Sequence, residues 1–173
     1  MDEAWTILTD KEQNEIWDRF YKDFSFRPST AKRDFPGISE PTPSVTFDIS
    51  NIYCDKAFAL NKNLQENFLK VFQNITNNDD WIYALEWQSS CYKFFPHKPF
   101  DLVCHYEGCS EPMEWIIPIL PDGDYYIFLT QDLKSGVFGH PWEKTMCIFG
   151  ENLLQELNQN MPKIFGKPIR EKS

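Results

Sequence analysis

Residues 115–150 read WIIPILPDGDYYIFLTQDLKSGVFGHPWEKTMCIFG, and the fold class turns on this stretch. Two runs, Glu114 to Leu120 and Tyr125 to Gln131, flank Pro121-Asp122-Gly123-Asp124, whose residue types make tight turns. The pattern predicts a β-hairpin. Pro118 has no N–H to give to a ladder, so the first strand is expected at a sheet edge or with a bulge. Lys134 to Glu143 reads as turn-rich, and Lys144 to Phe149 as a further strand. Within the turn-rich part, Gly139-His140-Pro141-Trp142 is a rigid corner, because Pro141 biases His140 toward extended backbone and Gly136 and Gly139 tolerate bends.

Outward from this stretch the chain alternates helices and strands. Thr9 and Glu12 have capping-box spacing, and Ile16, Trp17, Phe20 and Phe24 follow on one helical face. Four prolines between Phe26 and Ser44, with a Pro36-Gly37 pair, predict a long loop laid over the surface for a purpose or loosely held. Val45, Phe47 and Ile49 alternate with polar residues as in a strand. A second helix carries Leu60, Leu64, Phe68, Phe72 and Ile75, with Asn61 or Asn63 placed to cap it. Trp81 to Trp87 is a strand with both faces partly covered, and residues 88–112 form a second proline-broken excursion. A last helix from about Glu151 to Asn160 turns Leu153, Leu154, Leu157 and Met161 to the core, and a basic tail from Lys163 to Ser173 lies across the surface. The sum is one α+β domain over residues 1–173, a mostly antiparallel sheet of four to five strands packed with about three helices.

Composition narrows the function classes. Lys and Arg number 17 against 26 Asp and Glu, a formal charge of −9 that repels phosphate backbones and argues against nucleic acid. A basic protein partner suits such a surface. Fifteen Phe, seven Tyr and six Trp predict an unusually aromatic core. No run approaches the ~20 apolar residues that span a bilayer, and the N-terminus MDEAWTILTD is acidic where a secretory signal is basic. The expectation is a cytoplasmic protein with no membrane role. The five scattered cysteines, Cys54, Cys91, Cys104, Cys109 and Cys147, are read as free thiols in a reducing compartment.

Three groups of residues could carry chemistry. Asp122, Asp124, Asp132, His140 and Glu143 could converge on a cation, or a carboxylate could tune His140 for acid–base work. The plainer reading has Asp-Gly-Asp turning a hairpin and His140 holding a loop. Trp87, Tyr125 and Trp142 could line an aromatic pocket. Cys104, His105 and Cys109, with His97 upstream, do not match a familiar zinc spacing, so no metal or cofactor is assigned. A Gly-x-Ser-x-Gly elbow and phosphate-binding glycine loops are absent. Arg27 and Arg170 remain as anion contacts or as members of surface or core-rim ion pairs.

The series Phe26-Arg27-Pro28-Ser29, Pro36-Gly37-Ile38, Glu40-Pro41, Trp87-Gln88, Pro121-Asp122-Gly123-Asp124-Tyr125-Tyr126 and Gly139-His140-Pro141-Trp142-Glu143 resembles a family of bacterial proteins of unknown function. That family occurs in Bacillus-like and actinobacterial genomes. The resemblance spans nearly the whole chain and implies a bacterial cytoplasmic protein, but it brings no activity, ligand or catalytic residue. From the residues themselves the first expectation is a small acidic binding protein without catalysis, in the manner of immunity or inhibitor proteins. The second is an enzyme with an Asp/His/Glu site, with metal-assisted hydrolysis as one form. The third is a sensor with an aromatic pocket.

Overall fold

The computed structural model describes residues 3–52, 57–162 and 165–173, with 57–61 described by backbone alone. In chain order the elements are β1 (Trp5–Ile7), α1 (Asp10–Phe24), β2 (Ser44–Asp48), α2 (Ala57–Ile75), β3 (Ile82–Glu86), β4 (Tyr92–Phe94), β5 (Tyr126–Thr130), β6 (Gly136–His140), β7 (Thr145–Phe149), α3 (Glu151–Gln159) and β8 (Arg170–Lys172). The strands form one eight-stranded sheet in the order β1-β4-β3-β5-β6-β7-β2-β8, and every pairing in it is antiparallel. The class is α+β, as the patterning predicts, but the sheet has eight strands rather than four to five. The extra strands escape a pattern search for physical reasons. β1, β4 and β8 are three residues long, and β6 (Gly-Val-Phe-Gly-His) is buried along its whole length, so it shows no polar alternation.

The predicted hairpin is not formed. Glu114 makes one isolated bridge with Val103, and both edges of β5 are occupied, by β3 on one side and β6 on the other. Residues 115–121 instead cross the α2 side of the sheet as irregular chain, with Trp115, Ile117, Ile119 and Leu120 buried. Pro118 and Pro121 suit this path because they bring no N–H that a missing ladder would leave unpaired. Gln65 of α2 stands in for a neighbouring strand: its amide donates to the Met113 carbonyl (3.2 Å) and accepts from the Trp115 N–H (3.1 Å).

Two cores result, one on each face. Leu64, Phe68, Val71 and Phe72 of α2 and Leu153 and Leu157 of α3 meet Ala84, Phe128, Val137 and Ile148 on one side. On the other, Ile16, Phe20 and Phe24 of α1 meet Leu85, Ile127, Phe138, Cys147 and Phe149. Adjacent residues of the central strands point into opposite cores, which is why Trp81 to Trp87 reads as covered on both faces. Met161 is 39 % exposed, not directed to the core, because α3 has already ended. α2 begins at Ala57, which places Asn63 inside the helix and not at its cap; the side chains of Leu60 and Asn61 lie outside the described residues. No described helix is long and apolar enough to cross a membrane.

The capping box of α1 is present, with Thr9 Oγ1 accepting from the Glu12 N–H (3.3 Å) and Glu12 Oε2 accepting from the Thr9 N–H (2.9 Å). Thr9→Ala is expected to cost about 1 kcal/mol of unfolding free energy in urea titration, since it removes one partner of this pair. The thiol expectation is corrected at one pair: Cys104 and Cys109 are joined by a disulfide. The intervening turn, with Gly108 at φ +86°, folds the chain back and brings the two Cα atoms to 6.1 Å. Cys91 and Cys147 are free and buried, and Cys54 lies outside the described residues.

Candidate functional site

Antiparallel register places the ends of four strands in one row. Glu86 pairs with Tyr126, Tyr126 with Gly139, and His140 with Thr145. One step further along, Trp87, Tyr125, His140 and Thr145 are cross-strand neighbours on the α1 face. Tyr125 is the centre of this row. Its ring lies 5.9 Å from Trp87, 4.9 Å from His140 and 5.0 Å from Trp142, all edge to face. The long proline loop is what covers it: the Tyr125 hydroxyl donates to the Ser29 carbonyl (3.0 Å) and accepts from the Ser29 N–H (3.0 Å). Phe26 adds a further edge-to-face contact at 5.1 Å. The loop after α1 is therefore an ordered lid over the strand ends.

His140 is fully buried. Its Nδ1 accepts from the Glu143 N–H across the β6–β7 turn (3.0 Å), so the neutral ring carries its proton on Nε2. Among the described residues that Nε2 has no hydrogen-bond partner. It faces the rings of Phe35 (4.5 Å between centroids) and Tyr125, under Gly37. Gly37 has φ +78°, and a Cβ there would sit 3.2 Å from the Arg27 carbonyl oxygen, so glycine is what lets the loop lie this close. Burial holds the His140 pKa down to about 4; the nearby Glu143 pulls it up and Arg170 pushes it down further. The imidazole is neutral at pH 7.

Glu143 leaves the turn toward β8. Arg170 donates to it through both terminal nitrogens, Nη1 to Oε1 (2.7 Å) and Nη2 to Oε2 (2.9 Å), while Nε donates to Glu40 Oε1 (2.9 Å). Thr145 and Thr46 hydroxyls donate to Glu143 Oε2 (2.7 Å) and Glu40 Oε1 (2.8 Å). Burial would raise the Glu143 pKa, but the hydrogen bonds from Arg170 and Thr145 outweigh it and hold the carboxyl below its ordinary value. Glu143 is thus committed as an ion-pair member. Arg170, 27 residues further on, takes the core-rim role, and Glu40 is a partner that no local pattern announces.

Asp122 and Asp124 stand apart from this group. Asp124 lies in the bend that precedes β5, and its hydrogen bond goes to its own chain neighbour rather than to His140 or Glu143. Asp124 Oδ1 accepts from the Tyr125 N–H (2.7 Å), and burial, with Glu86 adding to it, pushes its pKa up to about 6. Asp122 is exposed. The two signatures do touch, through backbone packing: a Cβ on Gly139 would lie 3.0 Å from the Pro121 ring, so the glycine makes room for the Pro-Asp-Gly-Asp loop. Asp132 is used locally, accepting from Thr130 and the Lys134 N–H. His105 Nε2 lies 2.8 Å from the Trp115 carbonyl and His97 Nε2 3.0 Å from the Thr76 hydroxyl, so neither imidazole turns to the bridged cysteines. Among the described residues no three His, Cys, Asp or Glu side chains are grouped to hold a metal ion.

The rings of Trp87, Tyr125 and Trp142, the buried His140 and the Glu143–Arg170–Glu40 network form one continuous assembly at the end of the sheet. No solved structure matches the chain. It is similar to the "Uncharacterized protein YxiI" of Bacillus subtilis (strain 168), at 33 % identity over 166 residues, covering 93 % of this chain and 96 % of the relative. A family model described as "Protein of unknown function (DUF2716)" matches residues 7–154, which take in the aromatic row and the turn that carries Glu143. The chain therefore belongs to the DUF2716 family, a bacterial family of unknown function.

Proposed function

We propose that this protein is a cytoplasmic interaction module without catalysis, and that it engages a basic protein partner through the aromatic end of the sheet. The observation that supports this reading is the pair of large aromatics left in solvent there: Trp142 is 38 % exposed and Tyr21 40 % exposed. They flank a packed bed. The Trp87 indole N–H donates to the Tyr21 hydroxyl (3.0 Å), Tyr21 lies 5.1 Å from Phe26, and Phe26 packs on Tyr125 beside Trp142. Rigid Trp and Tyr side chains on a fixed bed are the kind of group that dominates binding energy at protein interfaces. Glu86 and Asp124 border the same strand ends and have no cation within ion-pair distance among the described residues. With the chain charge of −9, they give a partner's lysine or arginine a counter-charge.

The acid–base reading has less support. His140 is buried and neutral, Glu143 is held by Arg170, and Asp124 is bonded to the Tyr125 N–H. The aromatic-pocket reading loses its space, because Trp87 and Trp142 both pack on Tyr125. The test is capture from bacterial lysate on immobilised protein, with Trp142→Ala as the comparison. A partner retained by the wild type, lost at least tenfold by Trp142→Ala and released at about 0.5 M salt is expected. The unfolding free energy of the variant should stay within about 1 kcal/mol of wild type. A partner held equally by the variant, or indifferent to salt, would overturn the proposal.

A further inference from the structure

A cavity of about 540 Å³ lies on the α2 side of the sheet, away from His140, between α2 and residues 96–102. That volume falls within the roughly 300–1,000 Å³ of small-ligand sites. Leu69, Phe100, Leu102 and Trp115 give it an apolar wall. Its polar lining is rich in donors. Gln65, 2 % exposed, donates one amide N–H to the Met113 carbonyl, and Gln73 donates one to the Pro96 carbonyl (2.8 Å). A primary amide has two N–H groups, and each of these bonds uses one of them. His97 is held to Thr76 through Nε2, and Lys98 stands over the Phe95 ring at 4.0 Å.

The sign of the charge is the second observation. Lys62 and Lys98 line the cavity against one acid, Glu66, in a chain whose net charge is −9. A local reversal of the protein's own sign, beside an apolar wall and donor amides, selects for an anion attached to an apolar body. We propose that this cavity binds a small organic carboxylate with an aliphatic or aromatic tail, the tail lying on Leu69, Phe100 and Trp115 and the carboxylate meeting Lys62 and Lys98. This site is separate from the aromatic end of the sheet and does not rest on the interaction reading.

The probes are decanoate, decylamine and decanol, titrated calorimetrically into the full chain below their aggregation concentrations. Decanoate is expected to bind one to one, decanol more weakly, and decylamine not at all. In Lys62→Gln/Lys98→Gln, decanoate affinity should fall about tenfold, since two charge-assisted contacts are lost. Lys11→Gln/Lys22→Gln, which removes the same charge from exposed positions on α1, should leave it within about twofold. The proposal is overturned if decanoate does not bind, if decylamine binds as well as decanoate, or if the two double variants behave alike. Thermal unfolding of each variant checks that both remain folded.

Discussion

Arg170→Met is expected to destabilise the native state by about 3 kcal/mol at pH 7, read as a lower urea midpoint. The magnitude follows from stranding two carboxylates: the Glu40 side chain is 4 % exposed and that of Glu143 14 %, and Arg170 is the cation paired with both. Breaking a buried ion pair by removing one partner costs about 3–5 kcal/mol, and the lower end applies because the Arg170 side chain keeps 31 % of its exposure. Lysine does not restore it, since a single ammonium cannot reproduce the fork that joins Glu143 bidentately while reaching Glu40. The pH dependence carries the sign. In the wild type the Glu143 pKa lies below its ordinary value, so its contribution is present above about pH 4.5 and disappears as pH falls through the lowered value. In Arg170→Met the unpaired, buried carboxyl instead titrates above its ordinary value, and the variant should regain part of its stability between pH 7 and about 4.5. A loss below about 1 kcal/mol at pH 7 would show that the network is not what anchors β8 and the β6–β7 turn.

Acid should weaken the fold through His140 before it reaches the carboxylates. The ring is 0 % exposed with its pKa held down to about 4, against an ordinary value of 6.5. Unfolded chains bind the proton below pH 6.5 while the folded protein does not until about pH 4, so this contribution is present above 6.5 and is lost between those values. Its size is about 3 kcal/mol, the shift multiplied by 1.36 kcal/mol per unit. Asp124 works in the opposite direction. Its folded pKa of about 6 exceeds the ordinary 3.8, so its ionised form destabilises the fold above pH 6, and protonation relieves this as pH falls toward 3.8. The His140 effect is therefore best measured in an Asp124→Asn background, as unfolding free energy from pH 7 to 4.5, with the His140 Cε1–H chemical shift followed in parallel. A His140 midpoint near 6.5 in the folded protein would remove the basis of this prediction.

Much of the local structure was legible because it rests on local chemistry. Thr9 and Glu12 are three residues apart and cap each other, and Ile16, Phe20 and Phe24 recur at the helical period and share one face of α1. The corner expected at Gly139 to Trp142 is displaced: Gly139 and His140 are the last residues of β6, and the turn follows at 141–144. The hairpin at Pro121 to Asp124 was not decided by such rules. Its turn residues are real turn residues, but the strand they would have paired is excluded because β3, about 40 residues earlier in the chain, holds that edge of β5. The candidate site divides in the same way. Trp87, Tyr125, His140, Trp142 and Glu143 come together because strand ends align in the sheet, whereas Asp124, in the bend before β5, bonds to the Tyr125 N–H.

By itself, then, the chain's composition and periodicity determine an acidic α+β domain with aromatic cores, its three helices and four of its strands. Tertiary structure alone decides that β6 is a strand, that the proline loop lies ordered over Tyr125, and that Arg170 meets Glu40 across 130 residues. The physical reason is range. Caps, turns and amphipathic faces are settled within a few residues, whereas strand neighbours and buried ion pairs are settled by which distant surfaces exclude water together.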